Sequence, residues 1–488
     1  MVFTAKAQTP AFIADSLDKY ITEGLKDWNI PGLAIAIIKD GKTVVMKGYG
    51  VKDLETKEPV DENTLFMIAS STKLFTATAI AQLEYNKKLS IDDRIADRIK
   101  GFALYDKSAS ELVTIRDMLS HRIGTKTFQG DFVFWNSNLS RQQIMYKMRL
   151  LKPTGVFRKD YGYCNSCVLT AGEIIPAVSR MPWEVYVYDS LLMPLRMNNT
   201  HTLGQGITQR PNVARPYTTY FSPQLVRVPY DNVDNMGAAA GIVSSVNDIS
   251  HWLQMQLDSG RYNGRQVLPW SVIKRTREKN TIIKSTYSKE SYGLGVTIED
   301  YLSHQVYYHT GGASGFVSNT CFVPDAKLGI VILSNNDNQS FFEVLRYQIL
   351  DAYFGVPYTN ESKKVLKTFL QAQDKAVKKI EEYRGRVKEN KPPLSLDDYV
   401  GTYTNELYGD IEITKKVGGN HLLINFKGNN NLKGAVQYMD NDEWLLTYSN
   451  LTYGVFPVRF KGGSSKAMSL QIKVNDYIDY DAYTFTKK

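Results

Sequence analysis

The amino-acid sequence predicts an α+β domain followed by a small all-β domain. Strand-like hydrophobic runs occur near the beginning of the chain, at residues 33–46, and again at 292–333. Helical patterns fill most of residues 71–290 between them, so the two distant sets of strands can join one antiparallel sheet flanked by helices, with an all-helical lobe beside it. After residue 394, short strand-like runs separated by Gly, Asn and Asp predict a small barrel or sandwich.

The first elements are a helix and a hairpin. Residues 11–29 carry apolar side chains at helical spacing and predict an amphipathic helix that ends at Pro31-Gly32. Leu33–Ile38 and Thr43–Met46 then flank an Asp-Gly turn, which is a strong hairpin signal. These runs predict the first two strands of the sheet.

The middle of the chain predicts helices, and the region after residue 290 predicts strands again. The predicted helices follow Ser70 and lie at Thr114–Gly124, Leu169–Val178 and Asp248–Leu257. The predicted strands are Tyr292–Thr297, Gln305–His309, Phe316–Phe322 and Leu328–Leu333, with a helix at Phe341–Tyr353.

A charged segment separates the two predicted domains. Residues 361–391 are rich in Lys, Glu and Gln and predict a connecting helix that Pro392-Pro393 ends. We therefore expect a disordered remnant of a leader at 1–10, a first domain at 11–358, a linker helix at 359–393 and a β-barrel domain at 394–488.

Composition disfavours several functions. The net charge of +9 is spread along the chain without a basic-aromatic cluster, which argues against nucleic acid. No apolar run approaches the roughly 18 residues of a membrane span. Cys164, Cys167 and Cys321 are too few for a four-cysteine zinc site, and the histidines lack His-Glu-x-x-His spacing. We therefore predict no metal and no cofactor.

The N-terminus carries a weak targeting signal. Ala5-Lys6-Ala7 has the form of a signal-peptidase site, although too little precedes it for an apolar core. This favours a periplasmic or secreted protein with a trimmed signal peptide, and a cytoplasmic protein with a disordered tail is the alternative.

Ser70 and Lys73 form the first candidate catalytic motif. Ser70 falls at the start of a predicted helix, and Lys73 lies one turn later on the same face. A serine hydroxyl needs a nearby base to act as a nucleophile, and an amine in an apolar helix start can lose its proton. Ser-x-x-Lys alone is common in long chains, so further motifs are needed.

Tyr163-Cys164-Asn165 supplies the second motif. A tyrosine beside a lysine is expected to hold its proton loosely, so Tyr163 can take a proton from Ser70 and later pass one to the leaving group. Asn165 can accept a hydrogen bond from Lys73 and donate one to a substrate carbonyl. The alternative is a buried tyrosine whose hydroxyl is satisfied internally.

His309-Thr310-Gly311-Gly312 follows the predicted strand Gln305–His309. Glycines there let a substrate approach the sheet closely, and the Gly312 amide can join that of Ser70 as an oxyanion hole. The alternative is a turn that simply ends the strand.

In this order, the three motifs resemble those of the serine β-lactamase and penicillin-binding-protein superfamily, in its branch of class C β-lactamases, DD-peptidases and family VIII esterases. Ile30–Ala34, Leu119–Gly124 and Pro194–Thr200 also match that pattern, and the resemblance covers about residues 15–355. The tail from about Leu394 resembles the lipocalin-like domain that follows some members.

The resemblance implies an acyl-enzyme mechanism. Ser70 would be the acylated nucleophile, Lys73 and Tyr163 the proton-handling pair, and Asn165 with the strand of His309, Thr310, Gly311 and Gly312 the substrate contacts. Where β-lactamases usually have Lys-Thr-Gly, this chain has His-Thr-Gly. We expect a neutral His309 to weaken carboxylate recognition, and a lysine at this position to restore it.

The sequence therefore predicts a serine hydrolase that acts on ester or D-peptide-like amide substrates. A class C-like β-lactamase is one alternative, and a non-catalytic protein that senses peptidoglycan fragments or β-lactams is another. The C-terminal domain is expected to shape substrate access or assembly without contributing to the chemistry. A homo-oligomer is compatible with the sequence.

Overall fold

The computed structural model describes residues 9–284, 289–387, 391–429, 432–463 and 466–488. Most of the predicted leader remnant lies outside these residues, and the export inferred from it stays a prediction.

An antiparallel sheet organises the first part of the chain, as predicted, and it has eight strands. Strands from residues 32–50 pair with strands from residues 281–334, and Ile35 lies opposite Ile332 in the centre. Across the sheet, the strands are Lys42–Gly50, Gly32–Lys39, Leu328–Ser334, Phe316–Val323, His304–Ala313, Thr297–Tyr301, Lys289–Tyr292 and Thr281–Lys284.

The central strands are buried on both faces. Side chains of a strand alternate between faces, so Leu33, Ile35 and Ile37 point to one layer, while Ala34 and Ala36 point to the other. The first layer is formed by the N-terminal helix, a π turn Phe12–Ser16 that continues as Leu17–Asp27, and by the helix Phe341–Phe354. The second layer is the helical lobe.

The helical lobe contains short helices between residues 69 and 276. They are Ala69–Ser71 (3-10), Thr72–Tyr85, Ile95–Arg98, Lys107–Leu112, Ile115–Leu119, Asp131–Phe134, Arg141–Lys147, Met148–Leu150 (3-10), Asn165–Gly172, Ile174–Ser179, Trp183–Val187, Tyr188–Leu192 (π), Ile207–Gln209 (3-10), Asp234–Met236 (3-10), Gly237–Ala240, Val246–Leu257 and Trp270–Thr276. Three two-stranded pairs accompany them: Phe66–Met67 with Val243–Ser244, Tyr217–Thr218 with Val226–Arg227, and Arg261–Tyr262 with Arg265–Gln266.

Several predicted boundaries were wrong, and three of them bear on the site. The run Tyr292–Thr297 is a turn between two strands, closed by Gly293 N donating to Val296 O at 2.8 Å. The helix expected from Leu169 already begins at Asn165. The strand expected to end at His309 continues to Ala313, because the glycines after it pair with Ser318 and Val317 of the next strand.

The C-terminal part is a closed eight-stranded barrel, preceded by a short helix at Leu396–Tyr399. Its strands are Gly401–Asn405, Gly409–Lys415, Leu422–Phe426, Lys433–Tyr438, Glu443–Tyr448, Val455–Gly463, Lys466–Lys473 and Ala482–Lys487, with a 3-10 turn at Leu451–Tyr453. The sequence predicts strands only at residues 411–413, 422–426, 444–448, 456–460 and 470–474. The first, fourth and last strands were missed, because their apolar runs are short.

The barrel packs directly on the helical lobe. The ring of Phe132 in the lobe lies 4.9 Å from the ring of Tyr408 and 5.3 Å from that of Tyr483, both in the barrel. One continuous apolar core therefore runs from the lobe into the barrel.

The connecting helix Glu361–Arg386 links both parts. At its beginning, Trp28 donates from Nε1 to Ser362 Oγ at 2.9 Å. At its end, Arg386 forms ion pairs with Asp440 and Glu443 of the barrel. Among the described residues, no helix is long and apolar enough to cross a membrane.

Candidate active site

Ser70 lies in the 3-10 turn Ala69–Ser71, which leads directly into the helix Thr72–Tyr85. Ala69 has a φ of 44°, a left-handed conformation that costs a non-glycine residue about 1–2 kcal/mol. Tertiary contacts hold this strained turn in place, since the Ser71 hydroxyl lies 3.0 Å from Ser318 Oγ and 3.2 Å from His309 O. Ser70 itself keeps 8% of its surface exposed and lines a cavity.

Lys73 is fully buried, and its Nζ lies 2.9 Å from Ser70 Oγ. Nζ also donates to Asn165 Oδ1 at 2.7 Å and to Ala239 O at 2.9 Å. Burial lowers the pKa of Lys73 from 10.5 to about 7, although the charge of Asp131 acts in the opposite direction. A neutral amine has two N–H groups and one lone pair. Two donors can therefore stay on Asn165 and Ala239 while the lone pair accepts the Ser70 proton.

Asn165 holds Lys73 and is itself held by Asp131, a residue that no sequence motif pointed to. The Asn165 side chain accepts from Lys73, as expected, and donates from Nδ2 to Asp131 Oδ2 at 2.6 Å. The second Nδ2 hydrogen is available for a substrate carbonyl. Burial raises the pKa of Asp131 well above its usual range. Asp131 lies far from the motifs in sequence, and no spacing or periodicity marks it.

Tyr163 lies over Lys73 and bonds to Ser70. Lys73 Nζ lies 4.8 Å from the centre of the Tyr163 ring, which also packs 4.4 Å from the ring of His121. The expectation that Lys73 would favour the phenolate was wrong. Burial raises the pKa of Tyr163 well above 10, and the hydrogen bond with Ser70 lowers it only in part. The resting tyrosine is therefore protonated and can donate a proton.

The motif strand, His304–Ala313, forms one wall of the cavity. On one side its residues His309–Ala313 pair with Thr320–Phe316, but on the other side pairing stops at Tyr308. This leaves a free strand edge beside Ser70. A Cβ on Gly311 would lie 2.0 Å from Ile68 O and 2.9 Å from Ser70 N, so only glycine allows this close approach. The Ser70 and Gly312 amides can serve as the two donors of an oxyanion hole.

His309 is engaged on both ring nitrogens. Nδ1 lies 2.7 Å from Thr310 O, so this nitrogen carries the hydrogen, and Nε2 accepts from the Tyr292 hydroxyl at 2.7 Å. Burial, helped by the charge of Lys73, lowers the pKa of His309 to about 3. The neutral state was expected. The imidazole of His309 is not free to contact substrate, because Tyr292 and the strand occupy both nitrogens.

The cavity beside Ser70 has a volume of about 410 Å³ and is lined by both parts of the chain. Tyr163, Asn165 and residues 309–314 come from the hydrolase-like part, and Tyr477 and Ile478 come from the barrel. Tyr477 donates to Ala313 O at 3.3 Å, and its hydroxyl would lie 2.3 Å from a Cβ on Gly312. The barrel therefore contributes directly to the cavity wall.

The barrel loop that carries Tyr477 also contacts the residues on either side of Asp131. Asp479 Oδ2 accepts from Gly130 N at 3.1 Å and from Phe132 N at 3.2 Å, the amides on either side of Asp131. Tyr483 donates to the same oxygen at 2.6 Å. Burial raises the pKa of Asp479 to about 6. Nothing in the linear sequence connects residues 130 and 479.

The described cysteines form no metal cluster. Cys164, Cys167 and Cys321 are free and buried. Within the described part of the chain, no group of three or more His, Cys, Asp or Glu side chains is placed to hold a metal ion.

Comparison with known proteins identifies two families. Residues 17–354 match a family model described as "Beta-lactamase". Residues 385–487 match one described as "Domain of unknown function (DUF3471)".

Individual relatives extend over much of the chain. Unguisins hydrolase ungD from Aspergillus violaceofuscus is 27% identical over 438 residues, which cover 81% of this chain and 76% of that protein. Protein flp from Staphylococcus aureus is 26% identical over 329 residues, 66% of this chain, and the match spans 63% of flp, less than two thirds of its length.

A solved structure has the same fold over nearly the whole chain. It is the octameric penicillin-binding protein homologue from Pyrococcus abyssi, with a TM-score of 0.62 and 22% identity, and the match covers 97% of this chain and all of that one.

Proposed function

Because this chain belongs to the beta-lactamase family of serine hydrolases, we propose that it cleaves esters or amides through an acyl-enzyme on Ser70. The observation that carries this proposal is the 2.9 Å contact between Ser70 Oγ and Lys73 Nζ. It is supported by the lowered pKa of Lys73, about 7, which makes much of the amine neutral at physiological pH.

In the acylation step, Lys73 removes the proton from Ser70. The Ser70 oxygen then attacks the substrate carbonyl carbon, and the carbonyl oxygen becomes an oxyanion that the Ser70 and Gly312 amides stabilise. Removing one donor of such a hole typically costs about 3–4 kcal/mol of transition-state stabilisation.

Collapse of the tetrahedral intermediate breaks the bond to the leaving group. Tyr163 donates its phenolic proton to the leaving atom, and the proton held by Lys73 replaces it. This direction of transfer fits a tyrosine whose pKa is raised and a lysine whose pKa is lowered. A water molecule that enters after the leaving group departs attacks the acyl-enzyme and gives a proton to the neutral Lys73. The bond between the acyl carbon and Ser70 Oγ then breaks, Oγ takes the proton of Tyr163, and Lys73 returns a proton to Tyr163.

The oligomeric state is a separate proposal. The solved structure with the same fold is titled as octameric, and we propose that this chain also assembles into a homo-oligomer. Light scattering coupled to size exclusion measures the mass directly, and a single species of about 55 kDa would contradict assembly.

The function is tested by intact-mass spectrometry with Ser70→Ala. Wild-type protein quenched during turnover of a p-nitrophenyl ester, a D-peptide amide and a β-lactam should carry an acyl adduct from at least one of them. Ser70→Ala should lose both the adduct and turnover.

The matched control is Ser250→Ala, which removes a buried hydroxyl whose hydrogen bond goes to Asn247 O, outside the cavity. This variant should retain the adduct. Adduct formation in folded Ser70→Ala would overturn the assignment, and stoichiometric binding without product release in the wild type would favour a sensor.

A further inference from the structure

The cavity beside Ser70 is lined by acidic side chains but not by basic ones. Asp131, Asp231 and Asp337 line it, and none of the described residues that line it is a lysine or an arginine. Asp131 belongs to the network around Lys73. Asp231 and Asp337 have no part in the proposed proton transfers, so a different reason is needed for two carboxyl groups in this wall.

These two carboxyl groups lie where the acyl part of a substrate would extend. Tyr163, the proposed proton donor to the leaving group, packs near His309, with ring centres 6.1 Å apart. The acyl group must therefore point away from Tyr163, along the motif strand beyond Gly312. Just beyond that end of the strand, Ser314 N donates to Asp231 Oδ2 at 2.8 Å. The next amide, Gly315 N, donates to Asp337 Oδ2, also at 2.8 Å.

The distance fits a short acyl chain. Ser314 lies two residues beyond Gly312, and a strand advances about 3.3 Å per residue. The carboxyl groups are thus on the order of 7 Å from the oxyanion hole, which a chain of about five methylene groups spans. A cavity of about 410 Å³ accommodates a group of this size.

The two carboxyl groups differ in how they are satisfied. Asp231 accepts from Trp135 Nε1 at 2.9 Å and from Asn136 Nδ2 at 2.6 Å, in addition to Ser314. Asp337 is only 3% exposed, and its Oδ1 accepts no well-formed hydrogen bond from the described residues. A buried acceptor without a partner is costly, and a ligand that donates to it recovers that cost.

Burial and the neighbouring Asp231 raise the pKa of Asp337 to about 7, while the Thr218 hydroxyl and the Gly315 amide act against them. A positive charge placed between the two carboxyl groups would relieve this repulsion. Aromatic side chains complete the same end of the cavity: the rings of Tyr220 and Tyr477 lie 5.3 Å apart, and Trp135 stands beside Asp231. Aromatic faces also attract cations.

We propose that Asp231 and Asp337 bind an ammonium group, so that the substrates of this hydrolase are esters or amides whose acyl part carries a positive charge. This inference rests on the proposed function of Ser70. It also predicts poor turnover of substrates whose acyl part is anionic, because the lining offers no cation to receive a carboxylate.

Three substrates with the same chain of five methylene groups test the proposal. The p-nitrophenyl esters of ε-aminocaproic, heptanoic and pimelic acid end in an ammonium group, a methyl group and a carboxylate. A hydrogen bond to a charged group contributes about 1.5–3 kcal/mol, or roughly 10- to 100-fold in kcat/KM. The cationic ester should exceed the neutral one by that factor, and the anionic ester should be the poorest of the three.

Two variants assign the effect to residues. Asp337→Asn and Asp231→Asn should each reduce the ratio of cationic to neutral kcat/KM by about tenfold. Asp248→Asn is the matched control, since Asp248 is buried but accepts from Asn199 N and Thr200 Oγ1 away from the cavity. Asp248→Asn should leave the ratio of cationic to neutral kcat/KM unchanged.

An inhibition experiment on the wild type tests the same site if the cavity variants fail to fold. Turnover of the neutral ester should be inhibited by hexylammonium more strongly than by hexanoate.

The outcomes separate the two proposals. An equal or better rate with the heptanoyl ester, or a cationic advantage that persists in both cavity variants, overturns the ammonium site while Ser70 acylation stands. Equal inhibition of neutral-ester turnover by hexylammonium and by hexanoate also overturns the ammonium site. Absence of any acyl adduct with these three esters, with the D-peptide amide and with the β-lactam overturns the proposed function itself.

Discussion

Lys73 is the residue whose protonation state controls the proposed acylation. Its pKa is lowered from 10.5 to about 7 by burial, so the basic form appears as the pH rises through that value. We expect kcat/KM for a neutral ester to increase about tenfold per pH unit below 7 and to level off above it. His309, with its pKa near 3, should add no step between pH 5 and 9.

Stopped-flow acylation between pH 5 and 9 measures this profile. Lys73→Met should abolish the rising limb together with activity. Lys279→Met, which removes an exposed lysine paired with Asp300, should retain it. A flat profile in the wild type would contradict Lys73 as the base.

His309 leads to a revised prediction about specificity. The sequence suggested that His309→Lys would improve carboxylate substrates. In the structure His309 is 3% exposed and bonded at both nitrogens, so a lysine would bury an ammonium where Tyr292 now donates a hydrogen bond. An uncompensated buried charge costs roughly 3–5 kcal/mol.

We therefore expect His309→Lys to lower the free energy of unfolding by about that amount without favouring anionic esters. Urea denaturation and the ratio of pimelic to heptanoic ester turnover measure the two effects. A stable variant with a raised ratio would show that the new ammonium reaches the cavity.

Among the structural elements, the motif strand needs glycine at Gly311, which lies against Ile68 and Ser70, and at Gly312, which lies against Tyr477. The hydroxyl of Tyr477 occupies the place of a Gly312 side chain, since it would lie only 2.3 Å from a Cβ there. Gly312→Ala should displace Tyr477 and shift the Gly312 amide, lowering kcat/KM at least tenfold. Gly312→Ala/Tyr477→Ala should recover part of this loss, because the space is then free.

Gly385→Ala is the control for this pair, since its added methyl group meets no atom within 4 Å. Steady-state kinetics on one ester compare the four proteins. Equal activity of the single and double variants would show that the loss comes from the strand alone and not from Tyr477.

Local sequence patterns were sufficient for most of these elements. The hairpin at residues 32–50 follows from an Asp-Gly turn between apolar runs, and the strand Leu328–Ser334 from a nearly continuous apolar run. The extension from His309 to Ala313 was missed, because consecutive glycines indicate a turn unless a partner strand is known. Ser318 and Val317 provide that partner, which only the tertiary fold reveals.

For the molecule as a whole, only those site residues that belong to a short sequence motif were predictable. Ser70, Lys73, Tyr163 and Asn165 were found because each belongs to a short motif, and the structure brings them together. Asp131, Tyr292, Tyr477 and Asp479 were not found, since each enters the site through a contact between segments distant in sequence. Such contacts produce no periodicity and no characteristic residue spacing in the sequence.

Asp479 makes the barrel a structural partner of Lys73, the proposed base. Its carboxyl holds the amides of Gly130 and Phe132, and these fix Asp131. Asp131 in turn bonds to Asn165, which bonds to Lys73. In its ionised form Asp131 raises the pKa of Lys73, so a displaced Asp131 should lower that pKa from about 7.

Removing the Asp479 carboxyl should therefore change the pH dependence as well as the rate. We expect Asp479→Ala to lower kcat about tenfold and to move the rising limb of kcat/KM to lower pH. Asp479→Asn should recover part of the rate, because its amide oxygen can still accept from the two amides. Asp476→Ala, in the same loop but paired with Lys473 at the surface, is the control and should behave as wild type. A slower Asp479→Ala with an unshifted profile would mean that the loop supports the fold but not Asp131, and the barrel would then contribute only Tyr477 to the site.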